Sequence, residues 1–131
     1  MPVPAEIAGI QGSAELHDWF GYWPNFHDAE IISLHLNRSG HSSMRAHTWE
    51  MTKEIDQNGY YVLTKHLVVE FVFENISGLD LNGFSHQNVV FGIEIQKTES
   101  GFRLTLQGCY GMEGSIEAEK MSLRLASGKP D

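Results

Sequence analysis

The sequence predicts a mainly β (α+β) fold: an antiparallel sheet or flattened barrel of about six strands with one short N-terminal helix. Three observations predict it. Apolar and polar residues alternate with period two in separate segments, most clearly at Leu67, Val69, Phe71 and Phe73, and at Phe102, Leu104 and Leu106. Compact turn signals separate the segments: Ser39-Gly40, Asp56-Gln57-Asn58-Gly59 and Glu99-Ser100-Gly101. Helical spacing stands out near the N-terminus, at Leu16, Trp19 and Phe20.

In chain order, residues 1–10 read as a loose lead-in containing Pro2 and Pro4, and residues 1–131 as a single domain. Ser13 can cap the helix, and Gly21 stops it. Pro24 forces Trp23 into an extended conformation, so the chain turns before the first strand. That strand is expected over Ala29–Arg38, with Ile32, Leu34 and Leu36 facing inward and Ser33, His35 and Asn37 outward. A hairpin at Ser39-Gly40 leads to a second strand over Ser43–Thr52. Asn58-Gly59 suits positive φ and turns the chain into a third strand over Tyr60–Asn75. Ile76–Asn88 reads as a connector, Val89–Lys97 as the fourth strand, and Phe102, Leu104 and Leu106 as the inward face of the fifth. In the last strand Ile116 and Ala118 have one parity and Met121, Leu123 and Leu125 the other. A β-bulge with one inserted residue near Glu119 or Lys120 would reconcile them. The expected core is Leu34, Leu36, Leu67, Val69, Phe71, Phe73, Leu104, Leu106, Leu123 and Leu125.

Composition narrows the function. The chain has 17 acids against 9 bases, a net charge of −8. Such a field repels nucleic acid and favours a basic partner. Residues 1–37 hold Glu6, Glu15, Asp18, Asp28 and Glu30 with no Lys or Arg, and Glu113, Glu117 and Glu119 form a second acidic group. Cys109 stands alone, so the chain needs no oxidising compartment. The N-terminal residues show no signal-peptide pattern, and no segment is apolar enough to span a membrane as a helix. The expected location is the cytoplasm.

Four groups of residues could carry chemistry. His27, Asp28 and Glu30 bring an imidazole and two carboxylates to the start of a strand. They can form an acid-base pair, contribute to a metal site with His47, His66 or His86, or cap the turn after Pro24 through Asp28. No HxH, HExxH or CxxC spacing supports the metal reading. Trp19, Phe20, Tyr22, Trp23 and Phe26 exceed what a short helix and turn must bury, so Tyr22 and Trp23 can face a partner while Trp19, Phe20 and Phe26 pack inside. Gly83-Phe84-Ser85-His86-Gln87-Asn88 is a polar loop, whose Gln87 and Asn88 can satisfy its own backbone or recognise a ligand. Cys109 with a distant histidine is a weak nucleophile signal, and no serine elbow, phosphate loop or dinucleotide fingerprint is present.

Phe20-Gly21-Tyr22-Trp23-Pro24-Asn25-Phe26-His27-Asp28-Ala29-Glu30, followed by Gly83-Phe84-Ser85-His86-Gln87-Asn88-Val89 and Cys109-Tyr110-Gly111, resembles the bacterial immunity protein 50 family. The resemblance extends from Ile10 to Leu125. It implies a small cytosolic protein of a polymorphic toxin system that binds and neutralises a cognate toxin. It implies no enzymatic activity and no cofactor.

The expected partner surface is acidic and aromatic, built from Asp18, Tyr22, Trp23, Glu30 and His86, and its expected target is a basic toxin. No catalytic residue and no metal are expected. The alternative is a ligand- or metal-binding domain, hydrolase-like, using His27, Asp28 and His86.

Overall fold

The computed structural model describes residues 2–130, apart from the side chain of Tyr110. A 3-10 turn at Ala5–Ile7 precedes helix α1 (Ser13–Phe20). The strands are β1 (Glu30–His35), β2 (Ser42–Ile55), β3 (Tyr61–Asn82), β4 (Val89–Lys97), β5 (Phe102–Tyr110) and β6 (Glu113–Ser127). They close into a barrel in the order β1-β2-β3-β6-β5-β4, all pairs antiparallel, with Glu30 of β1 opposite Val89 of β4 completing the circle. Closure removes the free edges an open sheet would expose. The predicted fold class holds.

The interior is filled by Met44 and Ala46 of β2, Leu67, Val69, Phe71 and Phe73 of β3, Leu104 and Leu106 of β5, and Ile116 and Leu123 of β6. The four β3 residues alternate because successive side chains leave opposite faces of a strand. Leu16 and Phe20 of α1, together with Ile7 and Ile10 of the lead-in, are buried in the same core. The Leu123 amide donates to the Gln11 carbonyl at 2.8 Å, fastening this segment to β6.

The helix differs from expectation at its start. Gly12, at φ 95°, occupies the N-cap position. Ser13 is the first helical residue, and its hydroxyl donates to the Ala8 carbonyl at 3.1 Å. A Cβ on Gly12 would collide with the Leu123 carbonyl, so only glycine permits this approach. Gly21 ends the helix as predicted, its amide donating to the His17 carbonyl at 2.7 Å in a left-handed conformation. Trp19 is not a core residue: its indole lies at the surface and donates to the Lys65 carbonyl at 2.9 Å.

Three further departures have register causes. In β1 the pairing slips between Ile31 and Ser33, so Ile31 is buried in place of Ile32; Leu34, opposite Met44, packs inward against the core as expected, and Leu36 lies beyond the strand and exposed. The supposed connector after Asn75 is strand as far as Asn82, because its backbone pairs with Glu113–Ala118 of β6. The parity change in β6 needs no inserted residue there. Phe73 opposes Met121 and Ile76 opposes Ala118, so both strands switch faces together. Asn75 takes φ 57° at this point, and its amide donates to Glu119 Oε2 at 3.3 Å. The actual register shift lies on β3, between Ile76 and Gly78.

Candidate functional site

The segment Gly21–Ala29 crosses from α1 to β1. Pro24 is buried. The Asn25 side-chain carbonyl accepts the His27 amide at 2.9 Å, closing a local turn. That is the capping role expected of Asp28, supplied by Asn25 instead. Phe26 and Asp28 both take left-handed conformations, φ 62° and 63°. For a bulky residue such as Phe26 this conformation is strained, at a cost of about 1–3 kcal/mol. Its buried ring packs 5.7 Å from Phe71, centroid to centroid, and holds the strained backbone in place. Amides of Asp28 and Ile93 donate to carbonyls of Val90 and Asn25 at 2.9 and 3.2 Å, which ties the turn to β4.

The reversal of backbone direction at Phe26 and Asp28 presents His27 outward. Its ring stacks on exposed Phe91 at 6.0 Å, Nδ1 lies 3.3 Å from the Phe91 carbonyl, and Nε2 lies 3.6 Å from Asp28 Oδ2. Beside this pair a cleft of about 210 Å³ is lined by Tyr22, His27, Asp28, Trp49, Glu50 and Met51. The Tyr22 hydroxyl donates to Glu50 Oε1 at 3.4 Å, and Lys65 Nζ lies 3.3 Å from Glu50 Oε2. Burial, then the Glu50 charge and this hydrogen bond, push the Tyr22 hydroxyl above its ordinary pKa. Lys65 also donates to the Phe20 carbonyl at 3.3 Å. Its φ of 54° marks a bulge, where two β3 residues oppose Trp49.

The family model for Immunity protein 50 matches residues 12–127. The chain belongs to the immunity protein 50 family. No curated protein and no solved structure matches it. The immunity protein 50 match begins at the Gly12 helix start and ends at the last residue of β6, so it spans the whole barrel.

Within this immunity protein 50 barrel the expected partner residues are dispersed. Asp18 is exposed on α1. Tyr22 and Trp23 are half-buried against the core and diverge. Tyr22 faces Glu50 of β2, whereas Trp23 lines a separate hollow with Pro4, Ile93 and Ile95. Glu30 opens β1 opposite His47. His86 is exposed on the loop before β4, outside the His27–Asp28 cleft. That loop is closed from within: Asn88 Oδ1 accepts the Ser85 backbone amide, and Asn88 Nδ2 donates to the Ser85 carbonyl, each at 2.8 Å. Cys109 is a half-buried free thiol on β5. Among the described residues no group of three or more His, Cys, Asp or Glu side chains is placed to hold a metal, and no helix is long and apolar enough to cross a membrane.

Sequence reasoning missed one cluster. On the outer face of β2 and β3, His47 Nε2 lies 3.0 Å from His66 Nδ1, the rings stack at 5.2 Å, and Trp49 packs 4.9 Å from His47. One ring donates and the other accepts, which requires at least one neutral imidazole. Burial first, then His66 and Lys129, lower the pKa of His47; burial and then Lys129 lower that of His66. The odd spacing His47, Trp49, Met51 was visible in the sequence. The bulge that swings His66 beside it was not.

Proposed function

We propose that this protein binds a toxin in the cytoplasm and neutralises it by occlusion, without chemistry of its own. The observation that carries the reading is the family match across residues 12–127. The net charge of −8 supports a basic target, because opposite fields speed encounter and disfavour wrong partners. The surface assigned to this contact is the acidic and aromatic set of Asp18, Tyr22, Trp23, Glu30 and His86. Glu30 supplies charge at the start of β1, opposite His47, and Tyr22 and Trp23 supply rigid apolar area.

The test is co-expression with the product of the gene immediately upstream, followed by binding kinetics over a salt series. Cells survive only with the immunity protein present, and association slows as the Debye length falls from about 10 Å at 0.1 M to about 3 Å at 1 M salt. Glu30→Lys lowers the on-rate, and Trp23→Ala raises the off-rate in a variant whose melting curve shows that it folds. A protein that fails to protect cells and does not bind that product rules out the reading for this pair.

A further inference from the structure

Strands β2 and β3 run well past the barrel. Strand β1 covers β2 only from Ser43 to His47, and β6 covers β3 only from Leu67 onward. Glu50–Thr64 is therefore a two-stranded ribbon with neither outer edge paired to another strand among the described residues. It is not a frayed loop. Asp56 organises its tip: Oδ1 accepts the Asn58 and Tyr60 amides at 2.9 and 3.0 Å, and Gly59 takes φ 84°. Thr52 Oγ1 donates to the Val62 carbonyl at 2.8 Å where the register shifts.

The ribbon carries an apolar face. Met51 opposes Leu63, and Ile55 opposes Tyr61. Leu63 and Tyr61 are two residues apart, so all four side chains share one side. They are 53%, 40%, 63% and 56% exposed, and Tyr60 at the tip is 72% exposed. A lone hairpin is marginally stable in water, and these side chains keep about half of their surface in water in the folded protein. The same side continues through Trp49 and Met51 into the cleft beside His27 and Asp28.

We infer that this ribbon face is the anchoring half of the toxin interface, and that its occupant is an apolar hollow rimmed by basic residues on the partner protein. The inference rests on the toxin-binding reading above. Charge selects this occupant. The ribbon holds Glu50, Glu54 and Asp56 against Lys53, with Lys65 paired to Glu50 at its base, and Asp28 lies across the cleft from Glu50 and Met51. A second copy would bring the same acidic ribbon and another −8 of charge against it. Apolar side chains inside an acidic frame fit a target that is cationic at its rim, with the aromatic anchors desolvated at the centre. This moves the energetic centre of the interface from Trp23 to Ile55, Tyr60 and Tyr61.

The test uses the full chain and the upstream gene product. Ile55→Ser with Tyr61→Ser, and Tyr60→Ser as a milder second variant, are compared with Leu79→Ser, an exposed apolar residue on the far half of β3. The double variant weakens binding by about 30-fold or more and abolishes protection in co-expression, Tyr60→Ser weakens it by about tenfold, and Leu79→Ser leaves it unchanged. Hydrogen exchange of the ribbon amides slows in the complex. If the wild type binds and the folded ribbon variants bind equally well, the ribbon assignment is wrong and the toxin-binding reading stands. If the wild type neither binds nor protects, the toxin-binding reading falls for this pair and the ribbon assignment falls with it. A wild-type dimer in sedimentation that the double variant dissolves replaces the partner with a second copy and overturns the proposal.

Discussion

Strand β3 passes through two environments, and its two parts obey different rules. From Leu67 to Phe73 it lies between β2 and β6, and its inward side chains are buried. From Tyr61 to Thr64 it has β2 alone as a neighbour, and its apolar side chains face water. Residue types do not separate the halves: Tyr, Val and Leu in one, Leu, Val and Phe in the other. What separates them is the number of strands alongside. The buried half explains why the barrel folds. The exposed half has no folding role of comparable size, which is why a binding role is assigned to it.

The comparison breaks most visibly at Phe71. It is fully buried, with the Phe26 ring against it, so Phe71→Ala costs about 3–5 kcal/mol in chemical denaturation. A loss below about 1 kcal/mol would remove β3 from the centre of the core. Gly12→Ala comes next. It forces a side chain into positive φ and against the Leu123 backbone, at a cost of about 1–3 kcal/mol, with the N-terminal segment loosening from β6 first. Faster hydrogen exchange at the Leu123 amide, which donates to Gln11, reports that loosening directly.

A smaller effect separates the histidine cluster at the ribbon base from both halves. The folded pKa values of His47 and His66 lie below the ordinary 6.5, so the unfolded chain binds more protons as pH falls through that value. Stability is complete above about pH 6.5 and declines below it. Denaturation between pH 7.5 and 5 should show that slope, and His47→Gln with His66→Gln should flatten it. An unchanged slope would mean that other groups set the acid limb.

The smallest expected change is at the ribbon. Ile55→Ser with Tyr61→Ser shifts stability by no more than about 1 kcal/mol, because both side chains keep more than half of their surface in water. A loss of about 2 kcal/mol or more would show that the ribbon packs on something, and would merge the two environments that β3 separates.

Much of this architecture was legible in the chain. Alternation at Leu67–Phe73 and Phe102–Leu106 located central strands, because period two is imposed by the backbone itself. Asn58-Gly59 and Gly21 marked their turns because few other residues accept positive φ. Ile32 was misread because a slip in β1 between Ile31 and Ser33 puts Ile31 inside instead, and a slip is a property of the pair; Leu36 was misread because β1 ends at His35. Ile76–Asn82 read as part of a connector because its residues are a poor strand by propensity; pairing with Glu113–Ala118 overrides propensity.

For function, the sequence determined the family, the acidic field and the aromatic turn, since these depend on residue identity and order alone. Only tertiary structure decided that Tyr22 and Trp23 face different hollows, that His66 meets His47, and that Met51, Ile55, Tyr61 and Leu63 stand beyond the barrel. Those outcomes depend on where neighbouring strands stop. A strand ends where its partner's register runs out, and that is set by the closure of the whole barrel rather than by any local run of residues.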